Sequence, residues 1–256
     1  MLMPSLFISH GSPMIALMPG GTGQALARLA AHLPRPKAIV VMSAHWESQD
    51  LRVSSSSQPH TWHDFGGFPP ELYALQYPAP GNPQLADDIV QRLNDAGLPA
   101  KPDPQRPFDH GTWVPLRLMY PEANIPVVQV SLPSAQDTGL IKRIGEALKP
   151  LREQGILLIG SGSITHNLRD LDRFAGPEAV EPWAQAFRDW VVEKLQEGDI
   201  QALLDYRKLA PNAVRSHPSD EHFLPLYFAL GAGDVFKIEH AGFTFATLGM
   251  DIYSFS

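Results

Sequence analysis

Ten histidines and no cysteine set the chemistry open to this 256-residue chain. Without a thiolate there is no disulfide framework, no iron–sulfur cluster, no thiolate zinc site and no cysteine nucleophile. Any metal must be held by nitrogen and oxygen. Three histidines stand just past the carboxyl ends of apolar runs: His10 in Ser9-His10-Gly11-Ser12-Pro13, His45 in Ser43-Ala44-His45-Trp46, and His166 in Ser161-Gly162-Ser163-Ile164-Thr165-His166-Asn167. Open α/β sheets collect ligands at that end of their strands, and small neighbours let backbone and ligand approach closely. Taken singly, each fits an ordinary loop residue. Taken together, they are a metal-site candidate, since imidazole suits iron and zinc alike; spacing along the chain does not by itself bring them to one point.

Three further histidines have suggestive neighbours. His110 lies in Phe108-Asp109-His110-Gly111-Thr112-Trp113, read as a loop with a carboxylate beside it. His222 follows Ser219-Asp220-Glu221. Ser219 is expected to cap a helix through Leu230, which puts His222 on its first turn and the two acids at the favourable end of the helix dipole. His63 sits in Trp62-His63-Asp64-Phe65-Gly66-Gly67-Phe68-Pro69, a segment that either lines a pocket or folds as a compact surface loop. His32, His60, His217 and His240 read as structural or surface residues. There is no phosphate-binding glycine loop, no nucleophile elbow and no H-E-x-x-H. Ser12 or Ser161 can be fitted into a hydrolase triad, but no motif supports it. With 20 Lys+Arg against 27 Asp+Glu, the net charge of −7 argues against a nucleic-acid partner.

The elements that must position these side chains alternate along the chain. Strands are expected over 5–9, 38–43, 126–132 and 155–161, with one or two more in 243–255. Helical spacing of Leu26, Leu29, Ala30 and Leu33 predicts a helix over 22–33, stopped by Pro34. Asn82 and Pro83 open another that Gly97 closes; others are expected near 138–148 and over 182–197. This order predicts an α/β fold: a single domain, 1–256, with a central mixed, partly parallel sheet flanked by helices. The first eight residues lack a basic leader and a cleavage site. No apolar run approaches the ~18 residues that span a bilayer, so a cytoplasmic protein without a membrane partner is expected.

Seven segments, in order, carry a resemblance: SHGSP (9–13), SAHW (43–46), HDFGGFP (63–69), YPAPG (77–81), DHGTW (109–113), THNL (165–168) and EHFLPL (221–226). They resemble the motifs of the class III extradiol ring-cleaving dioxygenases, in the branch of 4,5-DOPA dioxygenase (DODA)-like proteins, which is related to the protocatechuate 4,5-dioxygenase catalytic subunit. The resemblance runs from residue 9 to residue 226.

It implies a non-haem metal held by His10, His45 and His222, with His166 as a fourth ligand or an acid–base residue. His110 is implied beside dioxygen or substrate. His63, Phe65, Phe68 and Trp113, with Tyr73, would wall the substrate ring. The implied partners are a small aromatic diol and O2, and the implied product is a muconic semialdehyde. Related enzymes use two His and one Glu. Here His222 takes the third place, directly after Glu221. Adjacent residues on a helical turn point about 100° apart, so the two are not expected on one ion. Fe(II) is expected for activity and Zn(II), which has no redox chemistry, in purified protein. The alternatives are a zinc-dependent hydrolase and a non-catalytic metal-binding protein on the same fold. A monomer or small homo-oligomer is expected. Arg106, Arg117 and Arg169 are the cations available to a substrate carboxylate, with simple exposure as the other state open to each.

Overall fold

A computed structural model describes residues 2–135, 137–176 and 178–256. Its strands are β1 (Ser5–Ser9), β2 (Ala38–Ser48), β3 (Leu51–Ser54), β4 (Ala100–Asp103), β5 (Val127–Pro133), β6 (Ile156–Gly162), β7 (Phe236–His240), β8 (Phe243–Thr244), β9 (Leu248–Gly249) and β10 (Ile252–Phe255). Eight of them form one sheet in the order β4-β3-β5-β2-β6-β1-β10-β7, and β8 pairs with β9 alone. The centre is parallel, β5-β2-β6-β1, whereas β3 on β5, β10 on β1 and β7 on β10 run antiparallel. The sheet is therefore mixed and partly parallel, as the alternation of elements predicts.

The helices are α1 (Gly20–His32), α2 (Pro70–Tyr73), α3 (Pro83–Asp95), α4 (His110–Met119), α5 (Thr138–Leu148), α6 (Pro182–Glu197), α7 (Ile200–Leu204), α8 (Tyr206–Leu209), α9 (Ala213–Ser216) and α10 (Pro225–Ala232). They cover both faces of the sheet, which is why its central strands are continuously apolar. Side chains alternate between two cores. Leu6, Ile8, Ile39, Val41, Leu157 and Ile159 pack with Leu26 of α1 and Trp113, Val114 and Leu116 of α4. Phe7, Val40, Met42, Val128 and Leu158 pack with Ile89 of α3, Ile144 of α5, Phe187 of α6 and Phe228 of α10. Among the described residues no helix is long and apolar enough to cross a membrane.

Several expectations need correction. β2 runs past Ser43 to Ser48; β3, β4 and β7 are additional strands, and 243–255 holds three strands where one or two are expected. Asn82 does cap α3, accepting the Leu85 N–H. Ser219 caps nothing: α10 begins at Pro225, whose fixed φ and missing N–H suit a first helical position. Residues 221–224 instead form a turn in which the Asp220 carbonyl accepts from the amides of Phe223 and Leu224. His110 is not in a loop but opens α4, with Asp109 as N-cap accepting from Thr112 N–H. Pro115, inside this helix, hid its periodicity, since proline breaks the interior hydrogen-bond ladder.

Candidate metal centre

The parallel neighbours β2, β6 and β1 end on the same edge of the sheet, and the site forms there. The His10 amide donates to Gly162 O at 2.9 Å, continuing the β1–β6 ladder by one residue. β2 leaves its ladder with β6 after Ser43, and its register with β5 breaks between Met42 and Glu47. His45 sits in that break, and such irregularities re-aim side chains. The turn bearing His222 is fastened to the end of β6, because Ser163 N–H donates to His222 O at 2.8 Å. Only glycine fits at 162, where a Cβ would stand 2.1 Å from that carbonyl oxygen.

Nε2 of His45 lies 3.1 Å from Nε2 of His10 and 3.3 Å from Nε2 of His222. One ligand nitrogen from each of the three falls within 4.8 Å of the others. The outward nitrogens have their own partners. His222 Nδ1–H donates to the Glu221 carboxylate at 2.9 Å, and His10 Nδ1 meets Ser161 Oγ at 3.0 Å. His45 Nδ1 faces Asp64 at 3.7 Å. Because a carboxylate only accepts, His222 keeps its proton on Nδ1 and turns a lone pair inward. Metal–nitrogen bonds of about 2.0–2.1 Å put neighbouring nitrogens about 3.0 Å apart at right angles and about 3.4 Å apart in a tetrahedron. The two observed spacings, 3.1 and 3.3 Å, fall within this range, so the donor set fits one divalent ion.

Burial keeps these rings uncharged. It holds His10 and His222 well below the usual imidazole range, helped by the neighbouring histidines. It brings His45 to about 4, with His110 acting the same way and Asp109 and Asp64 opposing. His166 is likewise lowered to about 4 by burial, against the field of Glu221. Neutral imidazoles are the form that binds metals.

His166 stands apart from the three. Its ring lies flat on that of His222, 3.5 Å away and 8° from parallel. An ion in the plane of His222 would lie about as far from the His166 plane as the rings are from each other, well beyond the roughly 2 Å of a metal–nitrogen bond. Its ligand nitrogen groups with His222 and Glu221 instead.

His110 faces the cluster from α4, its ring centroid 3.9 Å from that of His45. Asp64 accepts from both its amide, at 2.9 Å, and its Nδ1–H, at 3.0 Å. Hydrogen bonding to the charged form holds the Asp64 carboxyl below its ordinary value, although burial opposes this.

Phe65 meets His110 edge-on at 5.6 Å and also contacts Phe68 and Tyr73. His63 packs on Phe65, Tyr73 and Trp113, and its Nε2–H donates to Leu75 O at 3.0 Å. Phe65 and Phe68 are half-buried, whereas Trp113 is fully buried, its Nε1–H given to Trp62 O, so it backs this wall from beneath.

Arg106 is committed elsewhere. It pairs with the fully buried Asp109, donates to His45 O at 3.0 Å and lies over the rings of Trp46 and Trp62. Arg117 donates to Gln76 O, and Arg169 is exposed. Ser43 also donates to Asp109, at 2.7 Å. Asp64 and Ser43 carry no signal of their own in the sequence, and Ser161 and Arg106, which the sequence offers for other roles, carry none for these supporting ones. Asp64 follows His63 directly, yet it serves His110 and His45. His217, outside the centre, is fully buried and donates from Nε2 to Ile164 O at 2.9 Å.

A family model described as the catalytic LigB subunit of aromatic ring-opening dioxygenase matches residues 4–256. The "4,5-DOPA dioxygenase extradiol" of Beta vulgaris is 42% identical over 232 residues, covering 89% of this chain and 86% of its own. The protein of the same name from Escherichia coli (strain K12) is 42% identical over 236 residues, covering 91% and 86%. "Dioxygenase tasH" of Hapsidospora irregularis is 34% identical over 278 residues, covering 99% and 85%. The crystal structure of the uncharacterized protein JW3007 from Escherichia coli K12 superposes with a TM-score of 0.81 at 33% identity, covering 99% of this chain and 100% of that one.

Proposed function

The chain belongs to the LigB family of aromatic ring-opening dioxygenases, in its 4,5-DOPA extradiol branch, and we propose that it cleaves a catechol with O2 to a muconic semialdehyde in the cytoplasm. The observation that carries this reading is the inward convergence of the His10, His45 and His222 Nε2 atoms, with hydrogen-bond partners on the outer nitrogens of His10 and His222 and the Asp64 carboxylate 3.7 Å from that of His45. These three would hold the metal. Fe(II) is the active occupant, and Zn(II), which the same neutral imidazoles accept, is the redox-silent one in purified protein. When bound, the metal lowers the pKa of a coordinated phenol and provides the electronic path between diol and dioxygen.

The rest falls to the chain's own side chains. His166, neutral and stacked on His222, takes the proton of the diol and returns it on ring opening. Asp64 fixes the His110 proton on Nδ1 and leaves Nε2 as the nitrogen turned to substrate or dioxygen. When Nε2 accepts a proton, the same carboxylate stabilises the resulting cation. Phe65 and Phe68, backed by Trp113 and His63, would hold the ring and keep water from it. Both oxygen atoms end in the product, so no outside reductant is needed.

The test is anaerobic loading with Fe(II), followed by oxygen and a panel of catechols that includes DOPA. The expected result is one O2 consumed per diol and a yellow semialdehyde. Ester hydrolysis by the zinc form, with no oxygen uptake on any catechol, would overturn the proposal.

A further inference from the structure

Ser161 is fully buried, and its hydroxyl stands 3.0 Å from His10 Nδ1. A serine against a histidine is also the starting geometry of a nucleophile and its base. The direction of the proton separates that arrangement from a supporting one. The Ser161 hydroxyl donates to the carbonyl oxygen of Gly111, which can only accept. That carbonyl lies in α4, four residues before Pro115. In an ordinary helix it would receive the N–H of residue 115, but proline has none. The Ser161 hydroxyl supplies the missing donor. With its one hydrogen committed, Ser161 Oγ can only accept from His10. The proton of neutral His10 therefore sits on Nδ1, and Nε2 turns its lone pair towards His45 and His222.

We infer that Ser161 is a positioning residue that sets the tautomer of His10 and, through it, the affinity of the three-histidine site for a divalent metal. The inference rests on the reading of His10 as a ligand. It excludes Ser161 as a nucleophile: the hydroxyl is closed to solvent and its proton points away from the histidine. It also gives the interior Pro115 a purpose. The carbonyl that this proline leaves open orients the hydroxyl that orients the ligand.

The test compares the parent protein with Ser161→Ala. Nitrogen NMR of the metal-free proteins reports which ring nitrogen of His10 bears the proton, and chelator competition with Zn(II) reports affinity. The parent is expected to show Nδ1–H. The variant is expected to show a mixture of tautomers and an affinity lower by about 10–100-fold, the usual range for losing a ligand's outer partner. An unchanged tautomer or an unchanged affinity in the variant overturns the inference. So does labelling of Ser161 in the parent by a fluorophosphonate. Should the variant fail to fold, the parent spectrum still decides, because His10 protonated on Nε2 would overturn it. A parent that binds no metal would instead defeat the proposed function, while the metal-free spectrum still judges the role of Ser161.

Discussion

Acidification is the perturbation that interrogates the buried histidines most directly. Burial lowers His45 and His166 to about 4 and His217 to about 3. In the unfolded chain each returns to about 6.5. The unfolded state then binds more protons across that window, so stability is intact above pH 6.5 and falls as the pH drops towards 4. At pH 5 each of the three costs about 2 kcal/mol, or about 6 kcal/mol together. Asp251 acts in the opposite direction. Burial raises it to about 6 despite its Arg188 partner, so the native state gains a proton first and recovers about 1.4 kcal/mol at pH 5. The net loss is about 4 to 5 kcal/mol, a large share of the roughly 5–15 kcal/mol that holds a domain together. His10 and His222 shift in the destabilising direction as well. Urea denaturation of the metal-free protein at pH 7.5 and pH 5 measures this. With a slope of about 3 kcal/mol per molar, the midpoint should fall by at least ~1.5 M. Zn(II) at about 100 times its Kd should raise the pH 7.5 stability by about 2.7 kcal/mol. Equal midpoints at the two pH values would refute the picture of a buried, uncharged cluster.

Further outcomes follow from the same geometry. His10→Ala, His45→Ala and His222→Ala should each lose the metal in equilibrium dialysis, whereas His110→Ala and His166→Ala should retain it and lose roughly 10²–10⁴-fold in turnover; retention of metal by His222→Ala would displace it from the ligand set. Glu221→Ala, which strips His222 Nδ1 of its acceptor, should weaken Zn(II) binding by about 10–100-fold in a chelator titration, and Glu221→Gln, which keeps an acceptor, should recover part of that; equal loss in both would mean that the charge matters and not the hydrogen bond. Gly162→Ala forces a Cβ to within 2.1 Å of His222 O and should cost at least about 1–3 kcal/mol by urea melt and weaken metal binding with it; an unperturbed melt would show that the turn yields freely. Arg106→Met leaves Asp109 buried without its cation and should cost about 3–5 kcal/mol at pH 7.5; a change below ~1 kcal/mol would show that Ser43 and the α4 amides suffice.

Periodicity and punctuation made most of the frame legible. The apolar, β-branched run at 38–43 belongs to a strand covered on both faces, and Asn82-Pro83 with Gly97 bounds α3 as local rules require. α5 and α6 match their expected spans. The errors fall where tertiary contacts override local preference. Pro115 argues against a helix until β6 offers a hydroxyl to the carbonyl it leaves open. Ser219 looks like a cap until Pro225 takes the first helical position. β2 passes its expected end because β5 pairs with it again beyond the bulge at His45.

Residue type and strand order by themselves determined that the candidate site would be histidine-rich, free of thiolate and placed at the carboxyl edge of a parallel sheet. Only the tertiary structure decided which histidines face one another and in which protonation form. That depends on angles and on partners far away in the chain: Ser161 lies 151 residues from His10, and His45 lies 177 residues from His222. The flat stacking of His166 on His222, which sets its ring apart from the inward nitrogens of His10, His45 and His222, is a matter of ring orientation. Spacing along the chain carries no orientation, whereas metal lone pairs and hydrogen bonds act within about 3 Å and along fixed directions.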